Sequence, residues 1–100
     1  MSAFAGLLLI DLHFPDAGSL KGKRKELSSL KAQLQGRLHV AVSEVGHQDL
    51  WQRATLAVAV TAQTQGAAHE ACDRVGRFLD ARLPQGYRMD RAVVAFEELL

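Results

Sequence analysis

The chain has one cysteine, two prolines and no excess of charge of either sign: twelve Lys and Arg stand against eleven Asp and Glu, for a net charge of +1. A lone cysteine, Cys72, forms no internal disulfide and assembles no cysteine-based zinc site within one chain, which points to a reducing compartment. Near-neutrality excludes a global field drawing the protein to nucleic acid or membrane, so an electrostatic partner must be attracted by local clustering. Long apolar runs are also missing. The stretch from Ala3 to Ile10 lacks a basic leader and runs at once into Asp11 and His13 rather than a cleavage pattern, and it is far too short to span a bilayer. The expectation is a cytoplasmic protein that starts near Met1 and has no membrane partner. With 48% hydrophobic and 23% charged residues the composition is globular, and 100 residues predict one domain over 1–100. Repeats, linkers and low-complexity tracts are absent.

Ala3 to Phe14 reads as a buried central strand, because Phe4, Leu8, Ile10 and Leu12 alternate with Ala5, Leu7, Leu9 and Asp11 and both faces are largely apolar. Pro15 to Gly18 breaks it. Ser19 then caps a helix with the apolar stripe Leu20, Leu27, Leu30 and Leu34, which Gly36 closes. Leu38 to Val45 alternates as a second strand, Gly46 to Gln52 is a polar connection, and Arg53 to Ala62 alternates as a third strand. After Gln63 to Gly66, apolar positions from Ala68 to Leu79 recur at helical spacing until Pro84 and Gly86 end the second helix. Tyr87 to Phe96 reads as the last strand, with Glu97 to Leu100 a loose end. The order βαββαβ, with right-handed crossovers, predicts an α+β, ferredoxin-like sandwich: a four-stranded antiparallel sheet in spatial order 4-1-3-2 with both helices on one face. Such a fold implies no function by itself.

The run Lys21-Gly22-Lys23-Arg24-Lys25 lies in the first two turns of the first helix, where the helix dipole disfavours cations. Lys21 and Lys25 also repel at i,i+4. Charges set against a local rule invite a compensating anion at the free amides of a helix start, although a solvated basic turn beside Glu26 or Asp16 is the plainer reading. On a helical wheel Lys23, Arg24 and Lys31 fall within about 60° of Leu27, whereas Lys21 and Lys25 point away from the apolar stripe. Gly18 to Lys23 is no P-loop, since only three residues separate its glycines and Arg24 stands in the Ser/Thr position.

Glu44, His47 and Asp49 follow no recognised metal-ligand spacing and read as hairpin polarity. No acid, base or nucleophile constellation or cofactor motif emerges, so neither catalytic residues nor a cofactor are expected. Trp51 reads foremost as a packing anchor for the hairpin, with stacking on a base or a partner side chain as the alternative. Cys72 lies on the apolar side of the second helix and is expected in the core.

The predicted topology gathers Asp11, His13, Ser19 to Arg24, Gly46 to Trp51, Arg53, Arg82, Tyr87 and Arg88 at one edge, which is expected to be strongly basic. It also leaves an open sheet face of Leu7, Leu9, Ala41, Thr55, Ala57 and Ala59. That face offers no aromatic side chains on which bases could stack in the manner of an RNA-recognition motif. A second copy packed sheet to sheet, or another apolar partner, is expected to cover it, with pairing at an edge strand as the other route to an oligomer.

Three segments, Ser19-Leu20-Lys21-x-Lys23-Arg24, Val40-x-Val42-x-Glu44-Val45 and His47-Gln48-Asp49-Leu50-Trp51-Gln52-Arg53-Ala54, resemble the YlxP-like family of short bacterial proteins. The resemblance covers essentially the whole chain and is densest from Ser19 to Val60. It implies a ferredoxin-like fold, no known catalytic residues and, through the family's gene neighbourhood beside translation initiation and ribosome maturation factors, a place near the ribosome or its RNA. Family members often carry Glu where this chain has Gly22, which would complete a capping box with Ser19.

The leading expectation is a non-enzymatic RNA- or ribosome-associated module, with ribosomal RNA or a ribosome-associated protein as its partner. It would bind phosphates through Lys21, Lys23, Arg24 and Arg53, with His47 and Trp51 lining the site. The alternative is a homo-oligomeric interaction domain acting through the open face. A third reading is a small enzyme or metabolite binder taking a phosphorylated ligand at the same edge.

Overall fold

A computed structural model describes residues 1–100. Four strands and two helices follow in the order β1 (Phe4–His13), α1 (Leu20–Leu38), β2 (Ala41–Gly46), β3 (Arg53–Ala62), α2 (Gln65–Arg82) and β4 (Tyr87–Ala95), and a short 3₁₀ helix (Phe96–Leu99) closes the chain. All pairings are antiparallel and the sheet order is β2-β3-β1-β4, which is the expected order read from the other edge.

Alternation decides which side of the sheet is buried. Leu8, Ile10 and Leu12 of β1 and Ala54, Leu56, Val58 and Val60 of β3 point into a core completed by Leu27, Leu30 and Leu34 of α1 and Cys72, Val75 and Leu79 of α2. Both helices therefore cover the same face. At Gly6 an added Cβ would stand 2.8 Å from both the Cys72 Sγ and a Val60 methyl, so the missing side chain is what lets α2 lie this close to β1. No helix is long and apolar enough to cross a membrane.

Several boundaries differ from the expectation, each for a tertiary reason. Helix α1 passes through Gly36 and ends at Leu38, capped by His39 in the left-handed region at φ 54°. An interior glycine costs only about 1 kcal/mol, and Leu38 continues the apolar stripe onto the core. Strand β2 is consequently shorter than Leu38 to Val45 and starts at Ala41. At its far end Glu44 pairs with Leu56 and Gly46 with Thr55, leaving Val45 as a bulge. Helix α2 begins at Gln65 because the Thr64 hydroxyl accepts from the Ala67 amide at 3.0 Å, a cap the apolar periodicity does not reveal. The loose end after β4 is the 3₁₀ helix, where the Glu98 side chain accepts from the Ala95 amide.

Candidate functional site

Helix α1 starts where the backbone turns out of β1 through Phe14 and Ala17, both buried. The Ser19 hydroxyl accepts from the Gly22 amide at 3.0 Å, satisfying one of the four donors that a helix start leaves free. The connection from β2 to β3 lies against this start. Its turn has His47 at φ 59°, in the left-handed region, and the His47 carbonyl accepts from the Leu50 amide. Gln52 ties the loop to the chain before α1, donating from its side chain to the Pro15 carbonyl while its own carbonyl accepts from the Phe14 amide.

The link between the two segments is Lys23. Its residue is 1% exposed, and its ammonium donates to the His47 carbonyl at 2.5 Å. The expectation that Lys23 holds a phosphate is therefore corrected: its donor end is spent on the loop, and its stem is packed in line with Leu27. The wheel position beside Leu27 carried this signal, because Lys23, Leu27, Leu30 and Leu34 form one stripe. A lysine at the margin of such a stripe buries its methylenes and carries its charge to the nearest acceptor.

The other predicted residues stand outside. Lys21, Arg24, Arg53, His47 and Trp51 are all exposed, and the indole is 55% accessible, so Trp51 does not anchor the hairpin by burial. No carboxylate lies within ion-pair distance of Lys21, Arg24 or Arg53, since the three ion pairs of the protein join Arg77 to Glu70, Arg88 to Asp90 and Arg91 to Asp73. The end is less uniformly positive than expected, because the carboxylates of Asp16, Glu26 and Asp49 are also exposed in these segments. The Asp11 carboxylate accepts from the Thr55 hydroxyl at 2.8 Å and is occupied within the sheet. What the segments present is a mosaic of exposed charges and one exposed indole, with Lys21 and Arg24 on α1 and Arg53 alternating with buried Ala54 onto the side of the sheet away from the helices.

An open cleft of about 830 Å³ lies beside this region, between the start of α1 and the end of α2, and is lined by Asp16, Lys25, Glu26, Gln33, Arg82 and Gln85 among others. Arg82 stacks over Phe78 with its guanidinium carbon 4.9 Å from the ring centre, and it donates to Gln33. None of His47, Trp51 or Arg53 lines the cleft, so it does not merge with the mosaic into one pocket. No three His, Cys, Asp or Glu side chains converge as a metal site anywhere in the structure, those of Glu44, His47 and Asp49 included.

Three titrating groups depart clearly from their ordinary behaviour away from these segments, and two of them, Tyr87 and Asp73, help hold α2 to the sheet. The Tyr87 hydroxyl lies 2.7 Å from the Asp80 carboxylate and 3.0 Å from the Gly76 carbonyl. Burial first, and then the neighbouring Asp80, push its pKa up to about 12. Arg91, hydrogen-bonded to Asp73 at 2.7 Å, holds that carboxyl below the usual range. The Cys72 thiol is pushed up, chiefly by burial.

Comparison with known proteins agrees with the fold in leaving the activity open. The curated Uncharacterized protein YlxP of Bacillus subtilis (strain 168) is 36% identical over 66 residues, which cover 66% of this chain and 72% of that protein. The family model for a "protein of unknown function (DUF503)" matches residues 5–89, from the second residue of β1 into the start of β4. A match over that much of the sequence shows that the chain belongs to the DUF503 family.

Proposed function

We propose that this protein is a ferredoxin-like, non-enzymatic module that binds the phosphate backbone of RNA, with ribosomal RNA as the substrate class that the family's setting favours. The observation that carries the reading is that exposed Trp51 and the exposed cations Lys21, Arg24 and Arg53 lie on segments that Lys23 joins at one end of the sheet, none of these cations having a carboxylate at ion-pair distance. Free cations supply affinity by releasing counterions from the phosphates, and an exposed indole supplies a stacking platform for one base. Lys23 serves this arrangement indirectly. By gripping the His47 carbonyl it holds the loop of Trp51 against the helix that carries Lys21 and Arg24.

Trp51 is the only tryptophan, so its fluorescence reports on the proposed contact directly. Titration with a single-stranded RNA oligonucleotide over a salt series is expected to quench it, with a slope of log affinity against log salt of about −2 for three phosphate contacts at about 0.7 each. Lys21→Ala, Arg24→Ala and Arg53→Ala should each flatten that slope. Co-sedimentation with ribosomal particles, lost in the combined Lys21, Arg24 and Arg53 variant, would give the RNA its class. Binding without salt dependence, or no quenching at low salt, would overturn the reading.

A further inference from the structure

The helices cover one face of the sheet and leave the other bare. Leu7 and Leu9, in the middle of the central strand β1, are 49% and 46% exposed. The register places Leu7 in a cross-sheet row with Ala41 and Ala59 on one side and Ala92 on the other, and Leu9 in a row with Ser43, Ala57 and Asp90. The surface is therefore a leucine ridge along β1 beside an alanine trough along β3 and β2. Past Ala5 and Val94 it runs on into an apolar groove of about 490 Å³ walled by Phe96 and Leu99.

We propose that this face is the interface between two copies of the chain, related by a two-fold axis that runs along the strands between β1 and β3. Such an axis lays the Leu9 side chain of each copy over Ala57 of the other and Leu7 over Ala59. Large faces small wherever a leucine of β1 meets β3 of the other copy, which is the condition for filling the space of about 10 Å between packed sheets. An axis at right angles to the strands would instead set leucine on leucine and alanine on alanine, leaving a void over the trough.

Charge and area argue for the same occupant. Asp11 is taken up by Thr55, and the two central strands carry no other charge between Ala5 and Asp11 or between Thr55 and Thr61, so the middle of the face does not select an acidic or basic partner. Asp90, on β4 in the row of Leu9, stands 3.9 Å from the exposed Arg88. Four strands about 4.8 Å apart and about nine residues long give roughly 550 Å² per copy, and about 1,100 Å² for two reaches the lower boundary of specific interfaces. The groove beside Phe96 adds to that.

Sedimentation velocity from about 1 µM to about 500 µM should show a concentration-dependent dimer. Leu9→Arg and Ala57→Arg, each checked for folding by thermal melt, should raise its dissociation constant at least about a hundredfold by burying an unpaired charge. The geometry has its own test, which holds even if an arginine variant fails to fold. A mixture of Leu9→Cys and Ala57→Cys proteins should form covalent dimers under mild oxidation far faster than either alone, while buried Cys72 stays out of the reaction. A monomer at every concentration, a dimer that survives both arginine variants, or equal cross-linking in single and mixed samples would overturn the proposal. Quenching of Trp51 by RNA is expected to persist in the arginine variants, so failure here and failure of the RNA reading are told apart.

Discussion

Lys23 and Lys21 stand two positions apart in the same first turn and have opposite roles. Lys23 is buried and tied to the His47 carbonyl, whereas Lys21 is free in solvent. Replacing Lys23 with Ala should cost about 2–4 kcal/mol, since it removes packed methylenes and a charged donor together. Lys23→Met, which keeps the stem, should cost about 1–2 kcal/mol, and urea midpoints of the two variants would apportion the loss. At Gly6 the added methyl of an alanine has no space between Cys72 and Val60. Gly6→Ala should cost about 1–3 kcal/mol by overpacking, and Cys72→Ala in the same chain should recover part of it, a coupling that a double-mutant cycle measures. Cys72 itself is fully buried with its thiol pushed up, so it should resist a thiol reagent in the native protein and react only as the protein unfolds. Modification within seconds of mixing under native conditions would contradict its placement.

At the scale of elements, α2 is held to the sheet through Tyr87 and through the Arg91–Asp73 pair. Tyr87 is the only tyrosine and its pKa is pushed up to about 12 in the folded chain. An unfolded tyrosine ionises near its ordinary value, about 10. Between these values the unfolded chain binds fewer protons than the folded one, so stability falls as pH rises. The loss is expected to begin above about pH 10 and to be complete above about pH 12. Tyrosinate absorbance of the native protein should titrate late, and Tyr87→Phe should abolish this part of the alkaline decline. The elements themselves were legible from alternation and helical spacing, and β3 matched Arg53 to Ala62 at both ends. Their other boundaries were less so. Gly36 looks like a stop until Leu38 is seen on the core, Val45 looks like an ordinary strand residue until Glu44 and Gly46 are seen to flank a bulge, and Thr64 declares itself a cap only through its hydrogen bond to Ala67.

Across the whole molecule, the features argued to face partners contribute little to holding it together. Lys21→Ala, Arg24→Ala and Arg53→Ala should each change stability by no more than about 0.5 kcal/mol, in contrast to Lys23→Ala, because exposed side chains without partners have no native contact to lose. Denaturant melts of the four single variants check this, and a large loss from any of the first three would mean that its cation is engaged in the fold. The candidate site was legible in part. The order of elements already brings the start of α1 and the loop of Trp51 to one end, and the register already leaves Leu7, Leu9, Ala57 and Ala59 on one face. Hidden from the linear chain was which cation stays free, since that depends on where a carbonyl of a loop 24 residues away happens to lie.

Strand and helix identity, sheet order and the buried face follow from the sequence alone, because the alternation of apolar side chains with period two or 3.6 is a local property that any compact packing must respect. The burial of Lys23, the exposure of Trp51 and the end of α1 at Leu38 were decided only by tertiary structure. Each depends on an atom brought close by the fold: the His47 carbonyl for the ammonium, the loop geometry that turns the indole outward, and the core surface on which Leu38 rests. A side chain's choice between solvent and interior is a comparison of two environments, and the second of them exists only once the chain has folded.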